Sequence, residues 1–167
     1  KKLLFKLAGL GLFFVLHHSP IAAQDLDFGT LLSQLDSFET RLQQTQLFQK
    51  QLSMRADSLA EIIREFKAKS NRSFVEEREL ENQLRQSQEL SENEQAVEKQ
   101  ATAQLNALLA FADKTFKILN TAINKLTGEL KDATANGTLV DQNRLTATLQ
   151  KATTLRARCQ TYLNTAP

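Results

Sequence analysis

Only two side chains in this 167-residue chain have an ordinary pKa near neutrality, His17 and His18, and only one carries a thiol, Cys159. Proton transfer at neutral pH, Ser-His or Cys-His nucleophiles and histidine-ligated metal sites would all have to be assembled from these three residues. The rest of the ionisable set is lysine, arginine and carboxylate. Its densest part is an acidic run of Glu76, Glu77, Glu79, Glu81, Glu89, Glu92, Glu94 and Glu98, with only Arg78 and Arg85 of opposite sign inside it. Such a run can dock a basic protein partner or loosely hold divalent cations. Its ordinary outcome is a solvated helix face, with i,i+4 pairs such as Glu81 to Arg85 worth about 0.3 kcal/mol each. Cys159 likewise has two readings: a small hydrophobe on the apolar stripe of a C-terminal helix, which we favour, or the source of an intermolecular disulfide in an oxidising compartment. The Gly-Leu-Gly at 9–11 lies in the leader described next, and no phosphate-loop, dinucleotide or calcium-loop spacing occurs elsewhere. No catalytic, cofactor-binding or metal-ligating set is therefore assigned, and an enzyme is not expected.

Residues 1–23 decide how much of this inventory survives. Lys1, Lys2 and Lys6 make a positive start, Leu7 to Leu16 is apolar, and Ser19-Pro20-Ile21-Ala22-Ala23 ends the run with a helix breaker and small residues. This is the anatomy of a cleaved secretory signal peptide, with Gln24 as the expected new N-terminus. Crossing a bilayer takes about 20 apolar residues, more than this run supplies, so stable membrane insertion is not expected once it is removed. Cleavage takes both histidines and three lysines with it. Eighteen basic residues then face 19 acidic ones, a near-neutral balance that provides no global attraction to nucleic acid.

The elements that must position the remaining residues read as helices. Between Gln24 and Ala166 there is no proline, and Gly29, Gly128 and Gly137 are the only glycines. Apolar residues recur at alternating steps of four and three along Leu31, Leu35, Phe38, Leu42, Thr45, Gln49, Leu52, Ala56, Leu59, Ile63 and Phe66. The same phase can be carried through Leu80, Leu84, Ser87, Ser91, Glu94, Glu98, Ala101, Leu105 and Leu108 to Leu126, so one unbroken register is expected. Ser73 followed by Glu76 is a capping-box signature, which places a reversal at 70–73 and makes the acidic start of the second helix neighbour Arg64, Lys67, Lys69 and Arg72. Asn136-Gly137 ends the second helix, and Thr138 or Asp141 can cap a third. The expectation is an all-α fold in a single domain over 24–167. A long antiparallel helical hairpin, with helices at 27–69 and 74–134, carries a third helix at 139–164 packed on its base. The alternative is one continuous helix of about 100 residues in a parallel coiled-coil dimer. Asn71-Arg72-Ser73 and Asn136-Gly137-Thr138 also match the N-glycosylation acceptor pattern, and both fall at the expected breaks.

An exported chain with a helical-hairpin arm is similar in plan to the periplasmic holdase chaperone family known as the seventeen-kilodalton protein. That family builds its base from β-strands and has markedly basic arms, whereas no strand signal is present here and the charge is near neutral. The resemblance implies a chaperone as one function class. The residues themselves point to another: a non-enzymatic structural or adaptor protein of the cell envelope, periplasmic or secreted, most simply in a double-membraned bacterium. It would act through coiled-coil contacts, as a homo-oligomer or as part of an envelope complex. A third class is an accessory subunit of an envelope membrane machine that keeps its N-terminal segment as an anchor.

Overall fold

The computed structural model describes residues 26–165, and the leader expected at 1–23 lies outside them. The described residues form three helices and no strand: α1 (Phe28–Ala68), α2 (Phe74–Ala135) and α3 (Leu139–Thr165). α1 and α2 make the hairpin and α3 returns along α2, so the alternative of one continuous helix is overturned. Asp27 starts α1 by accepting hydrogen bonds from the Thr30 backbone N–H at 3.1 Å and from its hydroxyl at 2.5 Å. These donors hold the Asp27 carboxyl below its usual range.

The first reversal contains neither glycine nor proline, and an arginine explains how it closes. Lys69 leaves α1 with extended backbone. The Arg72 guanidinium then donates back to the carbonyls of Phe66, Lys67 and Lys69 at 3.2, 3.5 and 3.2 Å. It thereby satisfies helix-end acceptors that a left-handed glycine would otherwise help to cover. The capping box forms as expected: the Ser73 hydroxyl accepts from the Glu76 N–H at 3.3 Å, and the Glu76 carboxylate accepts from the Ser73 N–H at 2.9 Å. Lys69 joins in, 2.8 Å from Glu76 and over the Phe66 ring at 5.1 Å. Arg64 turns instead to Glu61 in its own helix.

The second reversal uses glycine. Gly137 has φ +69°, its N–H donates to Thr134 at 3.3 Å, and the Thr138 N–H donates to Ala133 at 3.1 Å. This pair of bonds is a Schellman ending. The Thr138 hydroxyl also turns back, donating to the Ala133 carbonyl.

α2, 62 residues and about 93 Å long, serves both neighbours. Its second half and α3 enclose the main core, in which Leu108, Ala112, Leu119, Ala152 and Cys159 are completely buried together with Leu35 of α1. Phe38 of α1 meets Phe111 of α2 with ring centroids 5.3 Å apart. α1 and α3 themselves touch only where their ends overlap against the middle of α2, so the three-helix base is shorter than the full length of α3. Beyond it α1 and α2 continue as a two-helix arm for about 40 Å. The arm core, Leu52, Leu59, Ile63, Leu90 and Val97, is thinner, and each member keeps 7–8% exposure where the main core reaches zero.

All eleven residues of the expected α1 seam are buried or half-buried. In α2 the expected register is corrected. Leu90 and Val97 are buried while Ser91 and Glu98 face solvent. The seam runs Leu80, Gln83, Ser87, Leu90, Glu94, Val97, Ala101, Gln104 and Leu108, then takes a second four-residue step to Ala112. Two successive steps of four are a stutter, which locally unwinds a coiled coil. It falls where the two-helix arm gives way to the three-helix overlap.

Two of the three described glycines, Gly128 and Gly137, predict opposite outcomes. Gly128 is an interior helical residue with nothing within 4 Å of an added Cβ, so Gly128→Ala raises unfolding free energy by about 0.5–1 kcal/mol. Gly137→Ala finds equal space but at positive φ, and lowers it by about 1 kcal/mol. Paired urea titrations followed by circular dichroism measure both signs.

Candidate interaction surface

The sequence-selected acidic residues do not converge. Glu76 is tied into the tip by Ser73 and Lys69, Glu79 accepts from Gln83 one turn along, and Glu92 accepts weakly from Gln88 at 3.4 Å. Glu77, Glu81, Glu89, Glu92 and Glu98 are solvent-facing, and Glu94 lies half-buried in the α2 seam. They therefore line several faces of α2. Among the described residues no group of three His, Cys, Asp or Glu side chains is placed to hold a metal ion. The charge at the tip is nevertheless strongly organised. The Lys69 ammonium, followed by the Ser73 backbone N–H and hydroxyl, lowers the Glu76 carboxyl to about 2.

Cys159 sits at zero exposure in the main core among α2 and α3 residues. Burial raises its thiol above the usual value, the opposite of what activates a nucleophile. A disulfide to a second chain through this sulfur would require α3 to separate from α2.

Next to Cys159 lies a polar cluster that sequence reading did not single out. Arg158 donates to Asp36 at 2.8 Å and to Glu39 at 2.7 Å, and the Tyr162 hydroxyl donates to the same Glu39 carboxylate. Each bond spans about 120 residues and joins α1 to α3, which otherwise share little surface. Arg158 is two-thirds covered and Glu39 more so, so this forked arrangement is screened less than the exposed i,i+4 pairs. Asp36 foremost, with Glu39, holds the Arg158 guanidinium above its already high range. Burial, reinforced by Glu39, pushes Tyr162 up to about 12. The available signal was Asp36 and Glu39 at i,i+3 beside one seam and Arg158 and Tyr162 at i,i+4 beside another.

The uncommitted apolar surface concentrates in two kinds of place. Each end of the molecule presents an apolar pair in the first turn of the helix leaving its reversal: Phe74 and Val75, both 74% exposed, and Leu139 and Val140, 70% and 82% exposed. The two ends share a sequence frame, Asn71-Arg72-Ser73-Phe74-Val75-Glu76 and Asn136-Gly137-Thr138-Leu139-Val140-Asp141, in which a cap, an apolar pair and an acid follow one another. Asn71 and Asn136, the two acceptor-pattern asparagines, are exposed there. The side of the arm adds Leu47, Phe48, Met54 and Ile62 of α1. An open depression of about 560 Å³ near the tip is lined by Phe74, Val75, Arg78, Glu79, Asn82 and Arg85, all from one helix, so it is a face rather than a cleft. No described helix is long and apolar enough to cross a membrane. No protein-family model, no curated protein and no solved structure matches this chain.

Tyr162 is the chain's only tyrosine, so ultraviolet absorbance reads it alone: half-ionisation is expected at about pH 12 and moves back toward 10 in Glu39→Gln. The sign is that of a raised pKa, so this group's contribution to stability is full below pH 10 and disappears as pH climbs to 12. Glu76 has the opposite sign. Its contribution is full above its ordinary value of 4.5 and fades toward pH 2, so the protection of amides 70–77, taken relative to the intrinsic exchange rate at each pH, falls over that window in the wild type but not in Glu76→Gln.

Proposed function

We propose that this chain is a non-enzymatic structural or adaptor protein of an exported compartment, acting through helix-to-helix protein contacts. The observation that carries this reading is the distribution of apolar surface. A two-helix arm leaves Leu47, Phe48, Met54 and Ile62 exposed along its side and Phe74 and Val75 at its tip, on a scaffold braced by caps and a cross-helix clasp. Exposed apolar groups grouped on rigid elements mark protein contact surfaces. Support against catalysis comes from the residue types: the described chain contains no histidine, and its one thiol is buried and raised. The leader anatomy of residues 1–23 supports export, and the cell envelope of a double-membraned bacterium is the compartment we propose.

A holdase chaperone is the second reading, favoured by the exposed apolar pairs at both ends, which unfolded segments could use. The two separate in a light-scattering assay with a thermally unfolding, unrelated protein. The adaptor reading expects no suppression of aggregation at equimolar ratio, and clear suppression that is lost in Phe74→Ser/Val75→Ser replaces it with the chaperone. Intact-mass measurement of the protein from its native host expects a chain starting at Gln24. A retained segment 1–23 would instead support an anchored accessory subunit.

A further inference from the structure

Asn136 is the only asparagine in the chain that is followed by glycine, and it is exposed at the outer end of the α2–α3 hairpin. An asparagine carboxamide is an electrophile that its own chain can attack. The nucleophile is the backbone nitrogen of the next residue, and the approach is least hindered when that residue has no Cβ. Asn71, also exposed at a reversal, precedes Arg72, whose side chain folds back over the end of α1. At Asn136 the fold holds the reaction off by geometry instead. Its ψ of −2° turns the Gly137 nitrogen toward Asn136's own nitrogen and away from its side chain. The Gly137 N–H is also engaged, donating to the Thr134 carbonyl at 3.3 Å. Both features belong to one clamp centred on the Ala133 carbonyl, which accepts from the Thr138 N–H at 3.1 Å, the Thr138 hydroxyl at 3.2 Å and the Gln142 side-chain amide at 3.2 Å. The Cα–C bond of Asn136 must rotate before the Gly137 nitrogen can reach Cγ, and that rotation requires the clamp to open. Residues 134–140 are all exposed, so opening here uncovers no core and is a local event.

We infer that Asn136 is a site of spontaneous deamidation, and that the hydrogen bonds on the Ala133 carbonyl set its rate. Water is the only co-reactant. The Gly137 nitrogen forms a bond to Asn136 Cγ and gives up its proton, the Cγ–Nδ2 bond breaks, and ammonia leaves with that proton. The five-membered imide so formed takes up water at either of its two carbonyls. Hydrolysis at the former side-chain carbonyl gives aspartate. Hydrolysis at the backbone carbonyl gives isoaspartate, in which the main chain runs through the former side chain and is longer by a methylene. Either product places a carboxylate at the carbonyl end of α2, close in sequence to Asp132 and Asp141, where the helix dipole disfavours negative charge. The lengthened isoaspartate link also moves the Gly137 and Thr138 N–H groups out of register with Thr134 and Ala133. A one-way chemical step thus converts a tight α2–α3 reversal into a loose one. This modification goes beyond the adaptor reading and needs no partner.

Ageing the purified full chain at mildly alkaline pH, followed by peptide mass spectrometry, tests it. Asn136 is expected to convert first, to a mixture with isoaspartate in excess, while Asn71 and the α2 residues Asn106 and Asn124 stay intact. Conversion in urea should be about tenfold or more faster than in the folded chain, because the clamp is then always open. Gln142→Ala removes one donor from the Ala133 carbonyl without touching the reacting residues. It should speed conversion in the folded chain by about threefold, with unchanged helical circular dichroism, and leave the rate in urea as it was. Thr138→Val, which removes the hydroxyl bond instead, should act in the same sense. Ser73→Ala, which loosens the other reversal, leaves both rates unchanged. Equal conversion at Asn71 and Asn136, one wild-type rate with and without urea, or wild-type rates in both folded clamp variants would each overturn the inference.

Discussion

One helix serving two partners is the constraint on which the molecule depends. α2, at 62 residues, buries a seam against both neighbours, and neither α1 (41 residues) nor α3 (27 residues) is long enough to cover it alone. α1 takes the first part and α3 the last, so the chain becomes two hairpins sharing a helix, joined where both partners reach the middle of α2. Burial follows directly from this division. Leu108, Ala112 and Cys159, near the overlap, are fully enclosed, whereas Leu52, Leu59 and Leu90, covered from one side only, are not. Because apolar stabilisation scales with area removed from water, the arm is the less stable half of the structure.

Polar interactions act differently, setting where helices stop and how they are held. Arg72 substitutes for a glycine at the first reversal by covering three carbonyls, and the Ser73–Glu76 capping box starts the next helix at once. At the other reversal, Gly137 supplies the left-handed residue and the backbone covers itself. Between α1 and α3, Arg158, Asp36, Glu39 and Tyr162 add direct polar bridges beside a core to which both helices contribute.

The surface left over is as informative as the core. Apolar side chains remain exposed at both ends and along one side of the arm, while the acidic run is spread around α2 and partly consumed in caps and i,i+4 bonds. The exposed apolar residues lie along one side of α1 in the arm and as a pair in the first turn after each reversal.

What could be read from the residues in order was whatever depends on neighbours three or four positions apart. The α1 seam from Leu31 to Phe66, the Ser73–Glu76 box and the Asn136-Gly137 break are all local, and the helices end within one residue of the places these signals set. Between 80 and 104 the α2 seam lies one residue from the expected phase at alternate positions, because that stretch is too polar for periodicity to choose between adjacent phases. Burying Leu90 and Val97 against Leu52 and Leu59 settles the choice, and that preference exists only once α1 lies alongside. Arg72 as a helix cap, the Arg158–Glu39–Tyr162 clasp and the exposure of Leu47, Phe48 and Met54 belong to the same category. Each depends on which surfaces the folded chain brings together or leaves uncovered, and a periodic sequence specifies a stripe without specifying what will cover it.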